Sequence, residues 1–387
     1  MASTILSTRN PASINVPISC ERTLDGAQAS VPEGTIIVSA DNHWGLSVDP
    51  WKGRVPAHLV DRMPSVWWDE ERGLYNMGFQ GQPIFTGYIG EIIKSMEDRR
   101  GASHINERMA DLDLDGIRME LVFPQTLLMF FQHPDFEVRE WIFRAYNEHL
   151  AKMQARAPGR FFGVGFINFW DVSRIEESIR HLKQLGLKTF CVPINPRDDM
   201  DGNPIHYSSE AMDILWATAE ELGLPVYFHV GETLNFDIPG GVVTATLPIF
   251  TPFRKNFAEL VYGGVFDRHP NLRVIFAEAG INGIPGMLQD AEMLTDACDR
   301  YLSPRPKLRP TDYWRRNCYA TFLSDSIGLK LIDYIGADRV MWSADYPHHE
   351  GTHGYSKAVI EEICAAVSPA DARKILGGTA IELFDLI

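Results

Sequence analysis

Eight short apolar runs, each followed by a stretch with helical spacing, recur along this chain of 387 residues. They span 34–40, 119–124, 161–167, 189–194, 225–230, 273–277, 317–322 and 340–343. The runs are continuously apolar rather than alternating, which is the pattern of parallel strands covered on both faces. The intervening pieces have recognisable starts and stops. Ser173 with Glu176 reads as a capping box, Ile175, Ile179 and Leu182 form a stripe, and Gly186 ends it. Met212, Leu215, Trp216, Ala219 and Leu222 form the next stripe, closed by Gly223; Ile327, Leu331 and Ile335 repeat it, closed by Gly336. Eight such βα units predict an α/β chain folded as a (β/α)8 TIM barrel. The competing doubly wound sheet lacks support, because no GxGxxG or P-loop glycine pattern follows any run.

Charge and cysteine usage narrow the function classes. Lys and Arg total 36 against 51 Asp and Glu, a net charge of −15 that repels phosphate backbones and anionic lipid headgroups. No apolar run approaches the roughly 20 residues of a membrane-spanning helix, so neither nucleic acid nor membrane is an expected partner. Cys20, Cys191, Cys298, Cys318 and Cys364 are widely scattered without a CxxC pair, which fits reduced thiols in a cytosolic protein. Cys191 and Cys318 fall inside proposed strands and read as small core residues. Residues 1–32 are rich in Ser, Thr, Ala and Pro and read as an N-terminal arm; a transit peptide is the alternative, with only Arg9 and Arg22 as its basic residues.

The barrel is expected over 33–387, with an insertion at 50–105 after the first strand. Around it lie Trp44, Trp51, Trp67, Trp68, Tyr75 and Phe79. On the catalytic face of a barrel these aromatics would either wall a pocket for a flat substrate or pack against themselves as a small subdomain. Both readings stay open from sequence.

The informative feature is which residues end the strands. Asp41 and His43 sit two apart just past the first run, so their side chains leave the same face. His229, Glu278 and Asp345 close the runs at 225–230, 273–277 and 340–343. All five lie at the C-terminal strand ends, where barrel enzymes place their chemistry. A lone His or Asp there is commonly a turn residue. Several carboxylates buried together, however, require a cation among them. Imidazole nitrogens with carboxylate oxygens suit Zn²⁺ or Mn²⁺.

At these residues the chain resembles the amidohydrolase superfamily, in the amidohydrolase-related branch that includes aminocarboxymuconate semialdehyde decarboxylase and resorcylate decarboxylases. The resemblance runs from about Thr35 to the C-terminus. It is carried by Ser39-Ala-Asp-Asn-His43, Arg108-Met-Ala-Asp-Leu-Asp113, Val122-Phe-Pro124, Ala145-Tyr-Asn147, Leu224-Pro-Val-Tyr-Phe-His-Val-Gly231, Ala277-Glu-Ala-Gly-Ile-Asn-Gly-Ile-Pro285 and Trp342-Ser-Ala-Asp-Tyr-Pro-His348. Gly377-Gly-Thr-Ala-Ile-Glu-Leu-Phe384 departs from it, with Thr379 where relatives usually carry Asn.

The resemblance implies one divalent metal, Zn or Mn, at the barrel mouth, held by Asp41, His43, His229 and Asp345. Asp345 would also move a proton. Asp41 replaces the His or Glu that usually opens the first-strand pair. Glu278 stands where decarboxylases of this branch usually place a catalytic histidine, so it would act as a ligand or base itself. The implied reaction is decarboxylation of an aromatic or unsaturated carboxylic acid. The alternative is hydrolysis of an ester, lactone, amide or C–C bond by a metal-activated water. A catalytically silent barrel is the minor alternative. His133, Asn195, Arg197, His348 and Trp44 are candidate substrate contacts. His133 reads equally well as a satisfied loop histidine, Asn195 and Arg197 as fixing the turn at Pro196, and His348 as hydrogen-bonding behind the ligands. Arg118 is expected to pair with Asp113 or Asp115. Dimers are common in the resembled family, so a homodimer taking a small-molecule carboxylate is expected.

Overall fold

The computed structural model describes residues 26–45, 51–79, 82–85, 98–125, 130–131, 133–231, 239, 244, 247 and 253–387. Most of the N-terminal arm, Cys20 and parts of the insertion (50, 80–81 and 86–97) lie outside the described residues.

Eight strands form one sheet in sequential order: β1 (Val38–Trp44), β2 (Met119–Pro124), β3 (Phe161–Phe166), β4 (Thr189–Val192), β5 (Val226–His229), β6 (Val274–Ala277), β7 (Cys318–Phe322) and β8 (Val340–Trp342). Each neighbouring pair is parallel, with helices between strands, so the fold is the expected (β/α)8 barrel. Two glycines let helices close onto β3. A Cβ at Gly163 would stand 2.8 Å from Leu150 Cβ, and one at Gly165 would stand 2.7 Å from Leu182 Cδ2. Two glycines at alternate positions thus clear one face of β3 for the helices Phe136–Arg156 and Val172–Gln184. Asn147 on the first helix then hydrogen-bonds both the N–H and the C=O of Phe166, each at 2.8 Å.

Two local expectations shift. The first strand runs over Val38–Trp44 rather than 34–40, so Asp41 and His43 lie within it. The cause is a bulge: Ser39 faces Glu120 but Asn42 faces Val122, three residues against two, and pairing then continues through His43–Phe123 and Trp44–Pro124. The helix Val172–Gln184 is capped by Asp171, whose carboxylate accepts from both the N–H and the hydroxyl of Ser173, while Glu176 pairs with Arg180 at 2.8 Å. A carboxylate at the N-cap accepts these bonds and also faces the positive helix end.

The eighth strand is only three residues long, and the chain beyond it closes the barrel. Asp345 N–H donates to Asp41 C=O at 2.9 Å, and His43 N–H donates to Tyr346 C=O at 2.6 Å. Ala344 N–H reaches Ser39 Oγ at 2.8 Å and Tyr346 N–H reaches Asn42 Oδ1 at 2.9 Å. Closure is therefore made at the bulge of β1, between the residues that carry the strand-end carboxylates.

The insertion forms a three-stranded antiparallel sheet over Ser65–Asp69, Leu74–Phe79 and Gln82–Phe85. Trp68 and Tyr75 pair across strands with ring centroids 4.9 Å apart, and Trp51 is buried with its indole on the Pro64 carbonyl. Residues 26–32 run along the barrel exterior, where Gln28 bonds the Asp113 carbonyl and Ser30 N–H reaches Glu361. Cys191, Cys298, Cys318 and Cys364 are free thiols, the first and third buried in β4 and β7. Among the described residues no helix is long and apolar enough to cross a membrane.

Two outcomes test this packing. Gly377 lies against the strand entry so tightly that a Cβ would be driven into the carbonyl oxygen of Ile36. Gly377→Ala should therefore cost about 3 kcal/mol in chemical denaturation, since backbone cannot yield as a flexible side chain does; unchanged stability would contradict the contact. The second concerns His149, buried under Trp44 with the indole N–H on its Nε2 at 2.9 Å. Burial first, then the charges of Arg54 and Lys152, pull its pKa down to about 4. Unfolded it titrates near 6.5, so the stabilisation is present above about pH 6.5 and is lost as pH falls toward 4. Denaturation midpoints should drop across that window and drop less in His149→Gln; parallel profiles would contradict the assignment.

Candidate metal centre

The barrel mouth gathers side chains from four strands that are far apart in sequence. Asp41 and His43 come from the bulged half of β1, His229 ends β5, Glu278 follows β6 and Asp345 follows β8. His229 Nε2 stands 3.2 Å from Asp41 Oδ1, His43 Nε2 stands 3.2 Å from Asp345 Oδ1 and 3.5 Å from Asp41 Oδ1. Glu278 Oε2 is 3.6 Å from His229 Nε2. His348 completes the group: its ring stacks on His43 at 4.0 Å and its Nδ1 lies 2.8 Å from Asp345 Oδ1. Asp41, His43 and His229 offer ligand atoms within 4.8 Å of one another, as do His43, Asp345 and His348.

Backbone strain marks two of these positions. Glu278 has φ of 65° and Asp345 φ of 54°, a left-handed conformation uncommon for residues other than glycine. It turns the chain sharply at the strand end and keeps each carboxylate at the mouth.

Electrostatics at the mouth are those of a site short of positive charge. Asp41, His43 and Asp345 are fully buried, and Glu278 is only 5% exposed. Burial, then the carboxylates of Asp345 and Asp41, push the Glu278 carboxyl well above its ordinary range. Burial, then His348, holds His43 well below the usual imidazole value. Burial also pulls on His229, but Asp41 outweighs it and the net shift is upward. His348 is raised to about 9, because Asp345 overcomes the burial that opposes it.

These residues fit a divalent cation. Both ring nitrogens of His43 and Oδ2 of Asp345 are buried with no hydrogen-bond partner, an arrangement costly without an ion to satisfy them. The donors are a mixture of imidazole nitrogen and carboxylate oxygen, which suits Mn²⁺ or Zn²⁺.

Behind the ligands lies a buried ion pair that the strand-end pattern did not reveal. Arg108, on the helix Ile105–Leu114, bonds both oxygens of Glu120 at 2.8 and 2.7 Å and donates to the His43 carbonyl at 2.8 Å. Glu120 accepts from Asn42 Nδ2 at 2.7 Å, and Asn42 accepts from Ser39 Oγ at 2.8 Å. The odd residues of the bulge thus face the metal centre while the even one is tied to this pair. A glutamate inside an otherwise apolar strand, Met119-Glu-Leu-Val-Phe123, was the available sequence signal: it must have a partner there.

The other candidates lie apart from this group. Trp44, expected at the pocket, is 1% exposed and packs edge-on against Phe161, because strand alternation puts the residue after the inward-facing His43 on the outer, helix-covered side of β1. His133 is buried in the loop after β2, its pKa drawn down to about 4 by burial, then by Arg139 and Arg62. Asn195 and Arg197 are exposed on the turn after β4, Arg197 with φ of 59°. His353, near the centre in sequence, instead bonds Asp115 at 3.2 Å. Asp113 pairs with Arg160 rather than Arg118, and Asp115 also takes the Ser356 hydroxyl, so neither acid meets the expected partner.

The sequence pattern of the family described as Amidohydrolase matches residues 54–386. A gamma-resorcylate decarboxylase of Rhodococcus jostii (strain RHA1) is 28% identical over 296 residues, covering 71% of this chain and 88% of that protein. Among solved structures, an amidohydrolase from Mycobacterium avium subsp. paratuberculosis K-10 superposes with a TM-score of 0.71 at 20% identity, covering 91% of this chain and 99% of that one. A 5-carboxyvanillate decarboxylase from Novosphingobium aromaticivorans DSM 12444, complexed with manganese and 4-hydroxy-3-methoxy-5-nitrobenzoic acid, gives 0.68 at 17% identity over 95% and 100% of the two chains.

The buried pair behind the ligands is testable by a mutant cycle. Arg108→Met or Glu120→Leu alone leaves one uncompensated buried charge and should cost about 3–5 kcal/mol. The double variant should recover most of that loss, because both charges are gone. Additive losses in denaturation would show that the pair is not coupled.

Proposed function

The chain belongs to the amidohydrolase family, and from that premise we propose that it is a metal-dependent decarboxylase of an aromatic carboxylic acid. The observation that carries the proposal is that Asp41, His43 and His229 offer buried ligand atoms within 4.8 Å of one another, with Asp345 3.2 Å from His43, in a chain related to gamma-resorcylate decarboxylase. Those four residues are assigned as the ligands, with Glu278 beside them. Manganese is favoured over zinc because two carboxylates, with Glu278 beside them, stand with the two imidazoles and the 5-carboxyvanillate decarboxylase neighbour carries manganese. When bound, the cation neutralises the clustered carboxylates and polarises substrate oxygens.

The protein's own groups supply the proton chemistry. Asp345 is assigned to donate a proton to the ring carbon that carries the carboxylate. The bond from that carbon to the carboxylate then breaks, CO₂ departs, and its electron pair restores the aromatic ring. Asp345 is left as carboxylate, and His348 Nδ1, 2.8 Å away, is in position to return a proton to it. Glu278 adds a carboxyl where a histidine is usual in the resembled branch. Its role is assigned to orienting His229 and the substrate rather than to donating the proton. The scattered thiols and the dimers common in the family extend the proposal to a cytosolic homodimer.

The test is CO₂ release from 2,6-dihydroxybenzoate and 5-carboxyvanillate by manganese-loaded protein. The account predicts turnover that chelator abolishes and added metal restores, and a loss of about 10²–10⁴ in kcat for Asp345→Asn. Ester or lactone turnover without CO₂ would replace decarboxylation with hydrolysis.

A further inference from the structure

The opposite face of the barrel, where the strands begin, holds a cavity of about 270 Å³ that the metal centre does not explain. Arg273 lines it from just before β6, Tyr319 from the start of β7 and Arg339 from just before β8. Lys374 and Thr379 close it from the last helical segments of the chain.

Hydrogen-bond donors prevail on this wall. Arg339 lies over the Tyr319 ring, 4.8 Å from its centroid, and its Nη2 donates to Asp338 at 3.0 Å. Its Nε is buried and has no hydrogen-bond partner among the described residues. Arg273 donates to two main-chain carbonyls, those of Leu383 at 3.1 Å and Gly223 at 2.6 Å, and forms no ion pair among the described residues. Lys374 has a long ion pair, 3.8 Å to Asp371, at the exposed rim. Thr379, which stands where relatives usually carry Asn, is 6% exposed. No hydrogen bond holds its hydroxyl or that of Tyr319 among the described residues.

A guanidinium N–H can only donate, so a buried Nε without an acceptor is costly. The two acids on the wall, Asp338 and Glu382, are exposed at the rim, and three cations outnumber them in a chain of net charge −15. The missing partner is therefore an acceptor that carries negative charge. The donors approach from strand entries on one side and from the C-terminal segments on the other. A planar carboxylate would engage one guanidinium fork, whereas a phosphate group presents oxygens in several directions. The volume leaves room for a small organic body beside it.

We propose that this cavity is a phosphate site on the strand-entry face, filled by free orthophosphate or by a small phosphate monoester. Occupancy ties the C-terminal segments to the entries of β6, β7 and β8, so the ligand stabilises the barrel rather than entering the reaction at the other face. The inference holds whatever reaction the mouth performs.

The experiment titrates manganese-loaded protein with orthophosphate, phenyl phosphate and benzoate by calorimetry at fixed ionic strength. A phosphate should bind at one site per chain and raise the thermal midpoint saturably. Arg339→Met and Lys374→Met should each weaken it at least about tenfold, and Thr379→Val about threefold to tenfold, with manganese affinity unchanged. Whichever phosphate binds more tightly names the occupant. Should Arg339→Met fail to fold, Lys374→Met on the exposed rim decides. Benzoate affinity should not respond to the substitutions; a fall in it would assign the cavity to carboxylates and overturn the phosphate site. Absence of phosphate binding, or phosphate affinity that persists in the variants and so belongs to the manganese, also overturns it.

Discussion

The closure of the barrel is the constraint on which the site depends. The last strand stops after three residues, and the hydrogen bonds that seal the sheet run from Asp345 and Tyr346 to Asp41 and His43. Sealing therefore forces two carboxylates and an imidazole into one buried space. Each additional acid there raises the cost of charge burial. The bulge in β1 turns Asp41 and His43 inward while Asn42 is drawn toward the Arg108–Glu120 pair. Topology, a backbone irregularity and a buried ion pair thus act on the same three consecutive residues.

Much of this was legible in the sequence, for reasons that can be named. The eight apolar runs correspond to the eight strands because parallel strands covered on both faces leave no alternation to misread. Glycines 186, 223 and 336 end helices as expected because all three adopt positive φ. Asp41, His43, His229, Glu278 and Asp345 meet because barrel topology brings every C-terminal strand end to one rim.

What sequence could not supply depends on register and on long-range partners. A bulge inserts one residue without any local signature, so the extent of the first strand past residue 40 is hidden in the sequence, whereas the outward face of Trp44 follows from plain alternation after His43. Arg118 has two acids close in sequence, but Arg160 and His353 are nearer in space. Arg139 gave no sign at all: an arginine in a helix's first turn reads as a solvated surface residue until Phe136 and Trp170 are seen to enclose it. The aromatic-rich insertion, ambiguous in sequence, pairs its Trp68 and Tyr75 across its own small sheet.

The mouth is short of cations, and its buried carboxylates and unpartnered imidazole fit a metal. The most direct measurement of the central claim is anomalous diffraction from crystals grown with manganese. The account predicts a single strong anomalous peak per chain, within coordination distance of Asp41, His43, His229 and Asp345. A mouth without a peak, or a peak contacting none of the four, would contradict it.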